Sequence, residues 1–358
     1  MTATLSAPRP PGSVPVALPQ GSRPLPRWAP PAIFAVSVGV AALLLAMAGF
    51  SVVGLIVLSL LLFMVLSTVI SRRVEGKRRA TDRLVTIVVT SAFLLAMAPL
   101  VSLLYTVLQQ GAARFDADFF SLTMRGVVGA GGGARHAILG TLLITGLAAL
   151  ISVPVGLMAA VYLVEYGRGR LARTVTFLID IMTGIPSIVA GLFAYALFTL
   201  IVGPGVRFGI GGAVALSVLM IPVVVRSCEE MLKLVPAELR EAAYALGVPK
   251  WRTILKVVLP AAAAGIATGI TIAIARVIGE TAPLLLIVGT TTNLNLNPFA
   301  DRMATLPVYT FYQFTQPGAR GFGVERAWTA ALVLMLIVIL LNVVARLVAK
   351  VFAPKGTR

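Results

Sequence analysis

Apolar blocks without charges alternate with short basic segments along almost the whole chain. Pro31 to Ile70 runs for about forty residues without a charge, roughly twice the length of one membrane-spanning helix. Arg9, Arg23 and Arg27 precede this block, and Arg72, Arg73, Lys77, Arg78, Arg79 and Arg83 follow it. Both flanks therefore favour the same side of a bilayer, and the block should contain an even number of spans. Dividing it at Ala48 and Gly49 gives a tight hairpin; the alternative is one span with an interfacial helix. Further spans are expected at 84–107, 138–164, 174–202, 209–225, 261–289 and 327–349, eight in all.

Composition agrees. Of 358 residues, 58% are hydrophobic and 12% charged, and the mean hydropathy is +0.97, which excludes an ordinary soluble domain. A net charge of +17 in a soluble protein would suggest nucleic acid. Here the basic residues sit in short connections, as the positive-inside rule requires, so no nucleic-acid partner is expected; the partner surface is lipid. The connections at 165–173 and 226–260, rich in Arg and Lys, are read as cytoplasmic. Those at 108–137 and 290–326, where Asp116, Asp118, Asp301 and Glu325 balance fewer basic residues, are read as external. Arg346, Lys350, Lys355 and Arg358 place the C-terminus inside. Both termini are then cytoplasmic.

Residues 1–30, rich in Pro, Ser and Gly, read as a disordered tail with no cleavable leader. Residues 71–83 read as a basic cytoplasmic linker, 84–350 as the main transmembrane domain and 351–358 as a second short tail. Cys228 and His136 each stand alone, so no disulfide, metal site or cofactor site is expected. Gly129, Gly131, Gly132 and Gly133 form a Gly-rich run, but no strand precedes them, and a linker is the better reading than a nucleotide turn. No Walker A sequence occurs, so if ATP drives the protein another subunit binds it.

The long polar stretch 236–260, PAELREAAYALGVPKWRTILKVVLP, lies between two apolar blocks. Pro236, Glu238 and Gly247 delimit a helix of about three turns, and Pro249 starts a second one at an angle. Leu239, Ala242, Ala243 and Leu246 recur at helical spacing and form a shallow face that fits a groove. This is a docking loop. Glu241, Ala242 and Ala243, then Gly247, then Val257, Val258, Leu259 and Pro260 resemble the EAA loop of ATP-binding-cassette importer permeases, with Val257 where that family usually carries Ile. The plain alternative is a cytoplasmic helix-turn-helix connection.

Within the spans, Arg276 and Glu280 are the notable ionisable pair, because a charge at mid-bilayer costs at least about 2.5 to 3.5 kcal/mol. Their i, i+4 spacing puts both on one helix face, where each can offset the other. Counted from Pro260 at about 1.5 Å per residue, Arg276 lies about 24 Å along the span, in its outer half. Pro283 cannot donate to the Gly279 carbonyl, so the helix is locally open beside the pair. Gly265 and Gly269 allow close packing of the deeper half on another helix. The pair is either a structural bridge or an anion site in which Arg276 presents its fork of donors and Glu280 holds it. Asp180, about two turns beyond Arg173, reads as a structural carboxylate rather than a ligand, and Pro186 should kink its span.

ARVIGETAPLLL and DIMTGIPSIVAGLFAY resemble the matching segments of phosphate-specific importer permeases of the PstA and PstC kind, and Pro307 to Gly318 resembles the PstA kind more closely. With the EAA loop, this similarity runs from about residue 84 to the end of the chain. It implies an all-α, type I importer permease fold of six core transmembrane helices plus the additional N-terminal two-helix hairpin at 31–70. It further implies a bacterial cytoplasmic-membrane complex that imports inorganic phosphate. The other subunits would be a PstC-like second permease, a PstB-like ATPase dimer and a PstS-like extracytoplasmic binding protein. Arg276, Glu280, Pro283 and Asp180 would then lie on the substrate pathway, and Glu241, Ala242, Ala243, Gly247, Leu259 and Pro260 would couple to the ATPase. The chain itself would be no enzyme. Sulfate or molybdate import, or a structural subunit without its own substrate path, are the alternatives. An intramembrane protease fails for want of partners, since His136 lies outside the spans and Asp180 is single.

Overall fold

The computed structural model describes residues 25–352, which form fourteen α-helices and no strand. The chain divides into two compact units, residues 1–103 and 104–358. Helices long and apolar enough to cross a membrane number seven among the described residues, or eight with one bent pair counted as a span.

The first unit contains α1 (Ala29–Ala48), α2 (Val52–Val74) and most of α3 (Lys77–Gly111). Helices α1 and α2 are separated at Gly49, whose φ of 109° favours glycine. The Ser51 hydroxyl accepts from the Gly54 N–H to cap α2. The expected division at Ala48 and Gly49 is thus present. Apart from Ile33, buried positions on the pair are small, Ala29, Ser37 and Ala41 on α1 and Ser59, Ser67 and Ser71 on α2, which lets backbones approach closely. The stretch 71–83, expected as a linker, is helical except for a turn at Glu75 and Gly76. Gly76, at φ 89°, permits that reversal. Glu75 is buried in the turn and accepts from the Ser71 hydroxyl at 2.5 Å, the Leu25 N–H at 2.7 Å and Arg83 at 3.0 Å. Of the expected 1–30 tail, residues 1–24 lie outside the described residues, whereas Leu25 is tied to Glu75 and helix begins at Ala29. Of the 351–358 tail, 353–358 lie outside the described residues.

In the second unit, α5 (Arg135–Val161) and α8 (Gly209–Lys233) pack side by side in the same direction, and α11 (Leu259–Val277) runs against α8. Small residues set the spacing. A Cβ on Gly156 would stand 2.7 Å from Val224, and one on Gly269 would stand 2.6 Å from Ser227. Gly265 faces Met231 in the same way, so the close packing expected of Gly265 and Gly269 is formed against α8. The core between these helices includes Ile144, Leu216, Met220, Val224, Ala273 and Val277.

Three spans depart from expectation. The segment 174–202 is α6 (Gly169–Gly184) and α7 (Ser187–Val202), whose axes differ by 109°. Pro186 forces Ile185 into an extended conformation, so the expected kink is a full break. Helix α8 continues to Lys233 rather than stopping at 225, because Arg226 pairs with Glu229 at 2.9 Å and Lys233 with Glu229 at 2.7 Å along its surface. The segment 261–289 is also broken: α11 ends at Val277, and α12 (Ala282–Ile287) starts anew with Pro283 in its first turn. A proline near a helix start needs no N–H, so Pro283 opens a helix instead of bending one.

At the end where α5 and α8 begin lie α4 (Ala117–Ser121), the Gly-rich run, α13 (Leu306–Thr315) and the start of α14 (Phe322–Phe352). The Gly-rich run is no loose linker. Arg326, buried, donates to the carbonyls of Gly129 at 2.8 Å and Gly131 at 3.0 Å, and to Gln313 at 3.0 Å. His136, expected in a loop, lies in the first turn of α5, buried with its ring edge-to-face with Tyr309 at 5.6 Å. Gly140 meets the chain before α13 so closely that a Cβ there would lie 2.0 Å from the Ala304 carbonyl oxygen. The buried Thr141 hydroxyl accepts from the Leu306 N–H at 2.7 Å while donating to Ala137.

Thr141→Val should therefore leave a buried N–H unpaired and cost about 1–3 kcal/mol, whereas Thr141→Ser should recover most of the loss. Thermal unfolding of the solubilised protein checks this, and equal stability of the Val and Ser variants would contradict it.

Candidate functional site

Two regions hold the residues singled out from the sequence. At the end where α8 stops, α9 (Ala237–Ala245) stands at the surface, followed by α10 (Lys250–Thr253). Helix α9 ends as expected at Gly247, at φ 75°. The Gly247 N–H donates to Tyr244 at 2.9 Å and the Val248 N–H to Ala243 at 3.1 Å, the two bonds of a Schellman cap. Any L side chain at 247 would be strained in that conformation. Pro249 then starts α10, which passes through a π-helical turn, Ile254–Val258, directly into α11. The turn precedes Pro260, whose ring collides with the carbonyl four residues back in regular helix, and wider winding relieves that contact.

One side of α9 is fastened to the protein. Arg240 donates to Glu165 at 3.0 Å, to the Val235 carbonyl at 2.6 Å and to the Leu232 carbonyl at 3.0 Å. Glu165, whose side chain is 5% exposed, lies in the π-helical turn Tyr162–Tyr166 that ends α5. Lys250 donates to the Glu165 carbonyl and stacks over Tyr166 at 4.6 Å. Arg240 therefore joins α9 to the ends of both α5 and α8. Ala243 belongs to this seated side and is buried, which corrects its expected place on the groove-fitting face. Leu239, Glu241, Ala242 and Leu246 are exposed, Leu246 by 83%, and Trp251 and Leu255 extend the apolar surface. Leu259 packs against the core and Pro260 is exposed. Beside this region Asp180, on α6, pairs with Arg226 of α8, which also holds Glu229. The carboxylate expected to be structural thus ties α6 to α8.

The second region is the break between α11 and α12. Arg276 and Glu280 do not form the expected i, i+4 pair: the helix that would align them stops at Val277, and the chain turns through Ile278 and Gly279. Among the described residues, no ion pair within 4.0 Å includes either one. Arg276 is exposed and shares its face of α11 with exposed Thr268 and Ile272. Thr281, immediately after Glu280, begins a cleft of about 520 Å³ that also includes Pro307, Thr310 and Phe314. The Thr310 hydroxyl is buried and has no partner among the described residues. Pro283 is buried against α7, where a Cβ on Gly191 would stand 2.6 Å from its Cα.

Sequence reasoning missed the Arg240 to Glu165 bond. The available signal was Glu165 itself, an acid at the end of an otherwise apolar span.

Comparison with known proteins supplies the family. The family described as "Binding-protein-dependent transport system inner membrane component" matches residues 152–358. The chain is 45% identical over 283 residues to phosphate transport system permease protein PstA 1 of Mycobacterium tuberculosis (strain CDC 1551 / Oshkosh), which covers 78% of this chain and 92% of that protein. It is 44% identical over 279 residues to phosphate transport system permease protein PstA of Mycobacterium leprae (strain TN), covering 76% and 90%. With the PstA protein of Yersinia pestis it shares 40% identity over 291 residues, covering 79% and 94%. The family match and this similarity along most of the chain agree, and the chain belongs to the family of binding-protein-dependent transport system inner membrane components.

Proposed function

We propose that this chain is one permease subunit of an ATP-driven importer of inorganic phosphate, with a second, PstC-like permease completing the pathway. The relatives' names supply the substrate, and the observation that carries the mechanism is Arg276. It stands one residue before the end of the span Lys250–Val277, exposed and without an acidic partner among the described residues. A cation on an apolar helix face is costly against lipid, so that face needs another protein or water over it. The second permease supplies that cover, and a passing phosphate supplies the missing negative charge. The planar guanidinium matches two oxygens of a tetrahedral oxyanion at once. Thr281 offers a hydroxyl in the adjoining cleft. ATP is hydrolysed elsewhere, by an ATPase dimer seated against α9, and phosphate is delivered by an extracytoplasmic binding protein.

This assignment puts α9 in the cytoplasm, with both termini, and the Gly-rich end outside. Cysteine introduced at Val128, 98% exposed, should react with an impermeant thiol reagent added to intact cells, whereas cysteine at Leu246 should not. The reverse pattern would overturn the orientation.

The two sides of α9 should separate in function. Glu241→Lys and Gly247→Val should leave the protein inserted but lower the recovery of ATPase in pull-downs. Arg240→Ala, which alters the seated side, should keep ATPase binding and lower phosphate uptake per ATP hydrolysed. Normal copurification and uptake in the first two variants would remove α9 from the coupling role.

For the pathway, Arg276→Gln should leave an assembled, ATP-hydrolysing complex whose phosphate uptake falls at least about tenfold, near 1.4 kcal/mol in barrier. Lysine should recover part of the rate, because it keeps charge but not the fork. Since Arg276 and Glu280 are not bonded, Glu280→Gln added to Arg276→Gln should restore nothing. Near-normal uptake in the double variant would show that phosphate does not use Arg276.

A further inference from the structure

The first unit carries a charged turn and an apolar cavity. Between residues 72 and 83 six basic residues stand against two acids. One of the acids, Glu75, is buried and already accepts from Ser71, Leu25 and Arg83, so it fixes the shape of the turn while Arg83 meets its charge. The other, Asp82, is exposed. Arg72 and Arg73 in the last turn of α2, and Lys77 and Arg78 at the start of α3, are exposed too, and among the described residues none of these four forms an ion pair within 4.0 Å, with Asp82 or any other acid. The surface of the turn is therefore positive. The bond from the Leu25 N–H to Glu75 also brings Arg27 and Trp28, two and three residues further on, to this end of the unit. Trp28 is 70% exposed, and tryptophan concentrates at the interface between membrane and water.

Away from the turn α3 stands apart. Helices α1 and α2 approach closely along their length, whereas α3 does not close on either. A cavity of about 360 Å³ lies among the three, lined by Phe34 of α1, Leu60 of α2 and Leu94 of α3 among others, with Ser59 and Ser91 as its polar side chains. Ser59 lies thirteen residues before Arg72, and Ser91 thirteen after Arg78, about 20 Å along either helix at about 1.5 Å per residue. That is half the thickness of a bilayer of about 40–45 Å with its headgroups, so a lipid whose headgroup sits at the turn ends its acyl chains at this depth. Size selects among occupants. One turn of a helix about 10 Å across and about 5.4 Å in pitch takes up about 420 Å³, more than the cavity holds. A single hydrocarbon chain fits.

We propose that the turn and the cavity form one site for an anionic phospholipid. The lipid phosphate lies over Arg72, Arg73, Lys77 and Arg78, and one acyl chain runs in the gap between α3 and the α1–α2 pair to end in the cavity. Basic residues clustered beside a span attract anionic headgroups, and arginine offers paired donors to phosphate oxygens. A zwitterionic lipid fills the cavity equally well but gains less at the turn. The site requires a membrane around the first unit and no particular transported ion.

Native mass spectrometry of the assembled complex, titrated with phosphatidylglycerol or phosphatidylcholine, counts the lipids retained and reads their affinity. Phosphatidylglycerol should occupy one site per copy of this chain at least about tenfold more tightly than phosphatidylcholine. Equal affinity of the two lipids overturns the proposal. Arg72→Gln, Arg73→Gln, Lys77→Gln and Arg78→Gln together should abolish the preference and leave phosphatidylcholine binding unchanged. Ser91→Trp, which fills the cavity from α3, should remove one retained phosphatidylglycerol, and combined with the four charge changes it should still remove only one. Loss of two would assign turn and cavity to separate lipids and overturn the single site. Should the charge variant fail to insert, Ser91→Trp decides: an unchanged count overturns the proposal, as does failure of Ser91→Trp to assemble, which would give the cavity to subunit packing. Inorganic phosphate added in excess should displace nothing; displacement would mark the turn as a site for the free anion and sink the lipid assignment.

Discussion

The absence of water in a bilayer core governs this structure. Every backbone N–H and C=O inside the hydrocarbon must be paired within a helix or covered by protein. Most of the chain meets that demand with uninterrupted helices. One span does not, broken at Ile185 and Pro186, and a second helical break, between Val277 and Ala282, follows the span Lys250–Val277. The helices after these breaks, α7 and α12, pack on each other, with Gly191 admitting Pro283 to near contact. Each break is thereby covered in part by the other. Replacing Gly191 with a larger residue would separate the very segments whose backbone needs protein around it.

The two ends of the second unit solve different problems. Where α5 and α8 stop, charges are laced between elements: Glu165 with Arg240, Asp180 with Arg226, and Glu229 with both Arg226 and Lys233. The most exposed of these, Asp180 with Arg226, contributes only about 0–1 kcal/mol, and the importance of the set is geometric. Arg240 fixes the angle of α9 relative to two helices at once. Those helices stay in contact along their length, through Gly156 against Val224 and the Ser217 hydroxyl on the Ala148 carbonyl at 3.4 Å. At the far end Gly140 meets Ala304 and Gly209 meets Met303. A displacement of α9 therefore has a continuous packed path to the 288–305 loop, the loop that carries Arg302.

Much of this was legible beforehand. The hairpin break at Gly49, the cap at Gly247 and the Gly265 and Gly269 seam each depend on one residue type with one conformational or steric use, and sequence alone identifies those. Misreadings came where two local rules competed. Arg276 and Glu280 have the spacing of a helical pair, but that spacing has meaning only if the helix continues, and Pro283 was equally able to start a new one. Arg226 reads as a loop residue in sequence, although Glu229 and Lys233 at helical spacing extend α8 past it. The Gly-rich run looked like a linker because its partner, Arg326, lies almost two hundred residues away, and no local pattern points across such a distance. The convergence of Arg207 and Arg302 on Gly289 is likewise a product of tertiary structure.

Partnering sorts the basic residues by role. Arg83, Arg114, Arg226, Arg240 and Arg326 all donate to carboxylates or carbonyls within the chain, and each joins elements distant in sequence or secures a turn. Exposed Arg125, in a surface loop, needs no partner, since water and salt screen it. Arg276, Arg207 and Arg302 fit neither group. The first ends an apolar span, and the other two share a pocket with phenylalanine walls, Arg207 half-buried and Arg302 exposed. Under the importer reading proposed above, an anion arriving from outside the chain would supply at Arg276 the charge that the described residues do not.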